Sequence, residues 1–271
     1  MQFIDTHIHL DGEEFDVDRQ QVIDRAREAG AVAMFLPAID LPSSYRILQL
    51  CQQYLGFLYP MVGLHPEEVK SDYRDVLAAF KPFFSSFTND PLQLPSLIIG
   101  IGEVGLDFYW SREYEKEQLE AFETQVQWSV ETRLPLMIHC RKAQNEMVRL
   151  LRRYERELPG GVFHCFTGNA HEAEELLQFE NFCIGIGGVS TFKKSHLPEV
   201  LPNVVPLNRL VLETDAPYMA PVPMRGQRNE SAYITYIIEK LAESYGVAPD
   251  EIGRQTTENV AQLFGITIKE H

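Results

Sequence analysis

The sequence predicts an α/β chain folded as a (β/α)8 barrel of TIM type. Short apolar runs alternate with amphipathic segments along the whole chain, giving about eight strand–helix units. Strands that are apolar throughout, each followed by a helix, favour a parallel sheet covered by helices. The length, 271 residues, is that of one such barrel, which takes about 250. A doubly wound open sheet is the alternative that periodicity leaves open.

The elements follow in order. Phe3–Ile8 reads as a strand. Asp16–Ala29 reads as a helix, stopped by Gly30, because glycine takes the left-handed conformation that closes a helix. Val32–Leu36 and Ser43–Tyr54 form the next pair, then Phe57–Val62 and Tyr73–Phe84. Leu97–Ile101 precedes Glu113–Thr132, and Leu136–Ile138 precedes Ala143–Glu157. Gly161–Phe163, Ala170–Gln178, Phe182–Ile186, the weak helix His196–Leu201, Leu210–Leu212 and Glu230–Tyr245 complete the alternation. Pro249–Phe264 adds a last helical pattern. The longest irregular stretch is Ser85–Ser96, and no Pro/Gly/Ser linker divides the chain. A single domain over 1–271 is therefore expected.

Hydrophobic residues make up 45% and charged residues 23% of the chain, which argues against disorder. The formal charge of −15 disfavours general coating of nucleic acid, because such a surface repels phosphodiester backbones. A local site with bound cations or a few arginines can still reverse that field. No apolar run approaches the ~18 residues of a membrane span, and the start of the chain carries no secretory pattern. Cys51, Cys140, Cys165 and Cys183 form no CxxC pair and read as small hydrophobes in a reducing, cytoplasmic setting.

The polar residues are not scattered. Five of the eight histidines, His7, His9, His65, His139 and His164, stand at strand ends. Carboxylates stand there too, as Glu103, Asp107, Glu213 and Asp215. In a barrel the residues past the C-terminal ends of the strands gather at one mouth. Imidazoles and carboxylates converging there bind divalent metal. His7 and His9, two apart on a strand, point to the same side. Glu103, between Gly102 and Gly105, carries two oxygens that can bridge cations. His139, His164 and Asp215 each follow an apolar strand. Any one of these residues alone is as well explained as a satisfied structural polar group. Together, without a cation, they amount to costly buried charge. Structural zinc sites are closed and Cys-rich, so a catalytic centre is expected here.

The strings Asp5-Thr6-His7-Ile8-His9-Leu10, Gly63-Leu64-His65-Pro66, Gly102-Glu103-Val104-Gly105-Leu106-Asp107, His139-Cys140-Arg141, His164-Cys165-Phe166-Thr167-Gly168, Glu213-Thr214-Asp215-Ala216-Pro217 and Arg228-Asn229-Glu230 occur in this order, and Asn259 follows. As an ordered set they resemble the TatD family of metal-dependent hydrolases, within the amidohydrolase-like barrels. Thr167 stands where serine is common, and Ser231 where proline is common. The resemblance implies a metal-dependent deoxyribonuclease that cleaves phosphodiester bonds, trimming from the 3′ end, with a water activated by two divalent ions. It implies that His7, His9 and Asp215 hold one ion, that His139 and His164 hold the second, and that Glu103 is shared. Asp215 and Glu103 are then the catalytic carboxylates, with Asp215 also taking the water's proton. Zn, Mn, Ni and Mg are the candidate ions; an imidazole-rich set favours the first three.

Four further residues are expected at the substrate. His65 is a rim residue or merely a turn residue before Pro66. Arg141, two residues past His139, can fork onto a phosphate. Arg228 and Asn229 follow the Pro-rich loop after the last strand. Asp107 and Tyr109 are expected to orient neighbours. The expected partners are DNA ends or a small phosphodiester. Two other functions compete: a metal-dependent ester or amide hydrolase, including an aminoacyl-tRNA deacylase, and a non-catalytic metal-binding scaffold.

Overall fold

The computed structural model describes residues 1–84 and 97–268. The irregular stretch expected over 85–96 lies outside them. The strands are β1 (Phe3–Asp5), β2 (Ala31–Pro37), β3 (Leu58–Val62), β4 (Gly100–Asp107), β5 (Leu136–Arg141), β6 (Gly161–Phe163), β7 (Phe182–Ile186) and β8 (Leu210–Leu212). The helices are α1 (Arg19–Ala29), α2 (Leu41–Gln53), α3 (Tyr73–Phe84), α4 (Glu115–Thr132), α5 (Gln144–Arg152), α6 (Ala170–Leu177), α7 (Leu197–Val204), α8 (Ile234–Tyr245) and α9 (Pro249–Phe264). The strands follow one another from β1 to β8 in one sheet, and β1 is also bonded to the end of β8 through Thr6 N–H to Leu212 O at 3.0 Å. A doubly wound sheet needs a reversal of strand order, and here there is none. The order is that of a (β/α)8 barrel.

The chain forms two compact units. Met1–Leu36 with His164–His271 is one, and Pro37–Phe163 is the other. In the first, β1 runs parallel to β2 and β7 parallel to β8. A buried carboxylate ties its two chain segments together. Asp5 accepts from the Thr214 hydroxyl at 2.7 Å, the Ser231 hydroxyl at 2.5 Å and the backbone N–H groups of Thr214 and His7. Ser231, where the resemblance leads to the expectation of proline, supplies a hydroxyl donor that proline lacks. Farther along, the buried Asn259 donates to Leu207 O and Leu210 O, fixing α9 to the start of β8.

In the second unit, β3, β4, β5 and β6 pair in succession, all parallel. Two buried glutamines on α4 act as pieces of backbone. Gln125 accepts from Leu64 N–H at 2.7 Å and donates to Leu64 O at 3.1 Å. Gln118 does the same for Asp107, at 2.9 and 3.1 Å. Each satisfies strand-end groups that would otherwise be buried without partners, and each sits beside a site segment.

Most expected elements lie where the periodicity placed them, but β1 ends at Asp5 and not Ile8, so His7 and His9 follow the strand and do not lie on it. The other differences have local causes. Helix α2 begins at Leu41, before the expected Ser43, because Asp40 and Ser43 form a reciprocal cap. The fourth strand runs over Gly100–Asp107 and not Leu97–Ile101, so Glu103 and Asp107 lie within it and not past its end. The glycines of that run let it pair closely with β5. At Gly105, φ is +144°, and a Cβ would stand 1.9 Å from His139 O. Gly105→Ala is therefore expected to cost about 3 kcal/mol or more, from left-handed strain plus backbone collision, read as a lower urea midpoint.

Candidate metal centre

In the first unit three imidazoles aim at one carboxylate oxygen. The Nε2 atoms of His7, His9 and His164 lie 3.8, 3.6 and 3.7 Å from Asp215 Oδ1. His7 Nε2 and His9 Nε2 are themselves 3.3 Å apart. The His7 and His164 rings stack, with centroids 3.6 Å apart. Burial pushes the Asp215 carboxyl up, but the His9 hydrogen bond and the three imidazoles outweigh it and hold it below the usual range. It is thus ionised at neutral pH. Its backbone is left-handed, φ 56°, as is that of Cys165, φ 51°. Such conformations cost about 1–3 kcal/mol each and persist only when neighbours enforce them. Here Asp215 N–H bonds His7 O at 2.9 Å, and Tyr218 N–H bonds Asp215 O at 2.9 Å.

Glu213 stands beside this set. Its Oε2 lies 3.1 Å from His164 Nδ1, and its Oε1 accepts from Cys165 N–H at 2.6 Å. This puts a second carboxylate, a buried one, beside the His164 ring, while the ring's Nε2 faces Asp215. Gly185 makes the room, since a Cβ there would meet Glu213 Oε2 at 2.3 Å.

In the second unit the shared acceptor is Glu103 Oε1. His139 Nδ1 lies 2.9 Å from it and His65 Nε2 3.4 Å. His65 Nδ1 accepts from Glu67 N–H. In the neutral ring the proton is therefore on Nε2, directed at Glu103. His139 Nε2 lies 2.9 Å from Asp107 Oδ2, while Asp107 Oδ1 accepts from Tyr109 N–H at 2.8 Å. Burial works to raise the Asp107 carboxyl, but His139, the Tyr109 N–H and Arg141 hold it below the usual range.

Both sets suit a divalent cation. The first offers three imidazole nitrogens and a carboxylate oxygen around one point. The second offers His139 Nδ1 and Glu103, with Asp107 on the far side of His139 and the His65 Nε2 proton directed at Glu103. Ligand atoms of His65, Glu103 and His139, and those of His7, His164 and Glu213, lie within 4.8 Å of one another. This N/O donor chemistry, with anionic partners behind the imidazoles, is that of transition-ion sites.

The remaining expected residues lie around these sets. Arg141, the last residue of β5, stacks over Tyr109 with its guanidinium carbon 3.7 Å from the ring centroid. Arg228 forks onto Asp18 at 2.8 and 2.7 Å and lies over Phe15. Asn229 is fully buried and donates to Thr214 O and Tyr218 O. Both hold the loop after β8. Glu213 stands in the motif string with no role legible from the sequence. Its signal is a glutamate two residues before Asp215, but its neighbour His164 is 49 residues away in the chain. Of the four cysteines, Cys51 and Cys183 are buried as expected and Cys140 and Cys165 are partly exposed.

Residues 4–265 match the family model described as TatD related DNase. The chain belongs to the TatD family. Similar relatives include the metal-dependent hydrolase YabD of Bacillus subtilis, 35% identical over 97% of this chain and 98% of the relative. Another is the 3′-5′ ssDNA/RNA exonuclease TatD of Pectobacterium atrosepticum, 32% identical over 96% and 98%. The crystal structure of the TatD homologue YjjV of Escherichia coli superposes with a TM-score of 0.88, at 29% identity and 98% coverage of both chains. An amidohydrolase of Bifidobacterium longum, at 13% identity and a TM-score of 0.60, shares the fold. This TatD-family chain is a metal-dependent hydrolase built as a (β/α)8 barrel. Among the described residues no helix is long and apolar enough to cross a membrane.

Two outcomes follow. Asp107→Asn offers one acceptor where two donors need one each, so metal affinity is expected to fall about 10–100-fold with the far-UV spectrum unchanged, measured by chelator competition. Burial pushes the Asp5 carboxyl from 3.8 up to about 7, against its hydrogen bonds. The folded chain thus holds this proton longer than the unfolded chain. The group's contribution to stability is full below about 3.8 and is lost as pH rises through about 7. In metal-free protein Asp5→Asn is expected to flatten that decline, read from melting temperatures across the window.

Proposed function

We propose that the chain is a cytoplasmic, divalent-metal-dependent deoxyribonuclease, one domain over 1–271, that removes nucleotides from the 3′ end of DNA. The observation that carries this reading is the convergence of three imidazole Nε2 atoms on Asp215 Oδ1, in a family whose relatives include proteins named as 3′-5′ exonucleases. The family's assignment gives His7, His9 and Asp215 to one ion, His139 and His164 to a second, and shares Glu103, with Zn, Mn, Ni or Mg as the ion. The geometry of the first unit instead groups His164 with His7 and His9, its Nε2 lying 3.7 Å from Asp215 Oδ1. When bound, such a pair acidifies a water and polarises a phosphoryl oxygen. Asp215, ionised and held by its backbone bonds, takes the water's proton. Glu103 balances charge between His65 and His139. His65, with its Nε2 proton, and Arg141 face the substrate, while Arg228 and Asn229 shape the loop that borders it.

The same donor set serves carboxyl ester or amide hydrolysis, aminoacyl-tRNA included. The −15 charge gives that reading its support, because it favours small or end-bound substrates over long duplex contacts. One assay separates the two. Metal-reconstituted protein is incubated with single-stranded DNA, a chromogenic phosphodiester and a carboxyl-ester panel, with and without EDTA. EDTA-sensitive loss of DNA from the 3′ end is expected, with Asp215→Ala lowering it by at least about 10²-fold. Elemental analysis is expected to find about two ions per chain. Turnover of esters alone sinks the nuclease reading, and full activity of Asp215→Ala sinks the proton-acceptor role.

A further inference from the structure

The end of β4 carries two aromatic side chains that burial does not explain. Tyr109 is 49% and Trp110 67% exposed. Their rings meet edge to face, with centroids 4.8 Å apart. The Arg141 guanidinium lies 3.7 Å from the Tyr109 centroid and 5.2 Å from that of Trp110. The neighbouring Phe108 is buried and anchors the segment, with Arg112 over its ring at 4.8 Å.

This group is tied to the metal ligands. Asp107 engages His139 Nε2 with one oxygen and Tyr109 N–H with the other. Phe108 N–H bonds Arg141 O at 2.9 Å. The aromatic pair and the arginine are thus fixed to the two strand ends that present Asp107 and His139. Exposed aromatic faces beside a planar cation are the chemistry that stacks unpaired nucleobases in single-strand binding proteins. In a duplex the bases are already stacked and paired, so such a platform selects single strands. On a chain of charge −15, backbone phosphates alone gain little, and base stacking becomes the source of affinity.

We propose that Tyr109, Trp110 and Arg141 form a stacking platform for an unpaired base at the end of a single strand. The proposal rests on the nuclease reading and adds to it the subsite that recognises the strand end. Recognition is by ring faces, so it tolerates any base but requires one.

The test uses metal-loaded protein and single-stranded oligonucleotides whose last two 3′ nucleotides carry bases or are abasic. Wild type is expected to favour the base-bearing end in kcat/KM by about tenfold. Trp110→Ala is expected to erase that ratio while keeping the bound metal. Binding is read separately. The chain has two tryptophans, and Trp128 is buried, so a short single strand should quench Trp110 emission saturably. Neither an abasic strand nor Trp110→Phe should show this quenching. Hydrolysis with equal rates on both ends, with the ratio surviving in Trp110→Ala, or with no quenching, overturns the platform and leaves the nuclease reading standing. Quenching without any hydrolysis supports the platform and sinks the nuclease reading. Neither quenching nor hydrolysis removes both.

Discussion

An imidazole has two ring nitrogens, and the group that engages one decides what the other can do. The His65 and His139 set described above depends on this constraint. Asp107 lies at His139 Nε2 and the Glu67 N–H at His65 Nδ1. These partners are a buried carboxylate and a backbone group, fixed by the scaffold. In the other set, Glu213 places its carboxylate beside His164, and much of the local sequence holds these groups. Gly185 leaves space for Glu213, and Gln118 fixes the backbone of Asp107 through both of its amide groups.

The same arrangement explains why strain is tolerated. Asp215 and Cys165 have left-handed backbones without being glycine, and each is, or adjoins, a residue of the candidate centre. Cys165 N–H reaches Glu213, and Asp215 N–H reaches His7 O. The cost of each backbone is offset by a hydrogen bond that also aims a side chain. Strain, orientation and charge are thus settled by the same few atoms.

The alternation of strands and helices was legible because period and turn signals are local. Phe182–Ile186, Leu210–Leu212 and Pro249–Phe264 coincide with their expected ranges. The histidines were legible because several stand at strand ends, where a helix surface would have been the commoner place. What the sequence hid is pairing at a distance. Nothing near Asp5 points to Ser231, and nothing near Glu213 points to His164. Arg228 looked like a free cation because Asp18, which it grips, is 210 residues away. The extent of β4 was misjudged for another reason. Glycines and charged residues read as a strand end, yet close pairing with β5 carries the strand through them.

The first candidate set also has a consequence for biosynthesis. His7 and His9 are translated long before His164 and Asp215. The Asp5 tie to Ser231 closes later still. Translation proceeds from the N-terminus, so a nascent chain lacks half of these donors until His164 and Asp215 have been made. Capture of an ion by the proposed set accordingly follows assembly, and a polypeptide truncated before residue 215 leaves the translation machinery without the full set.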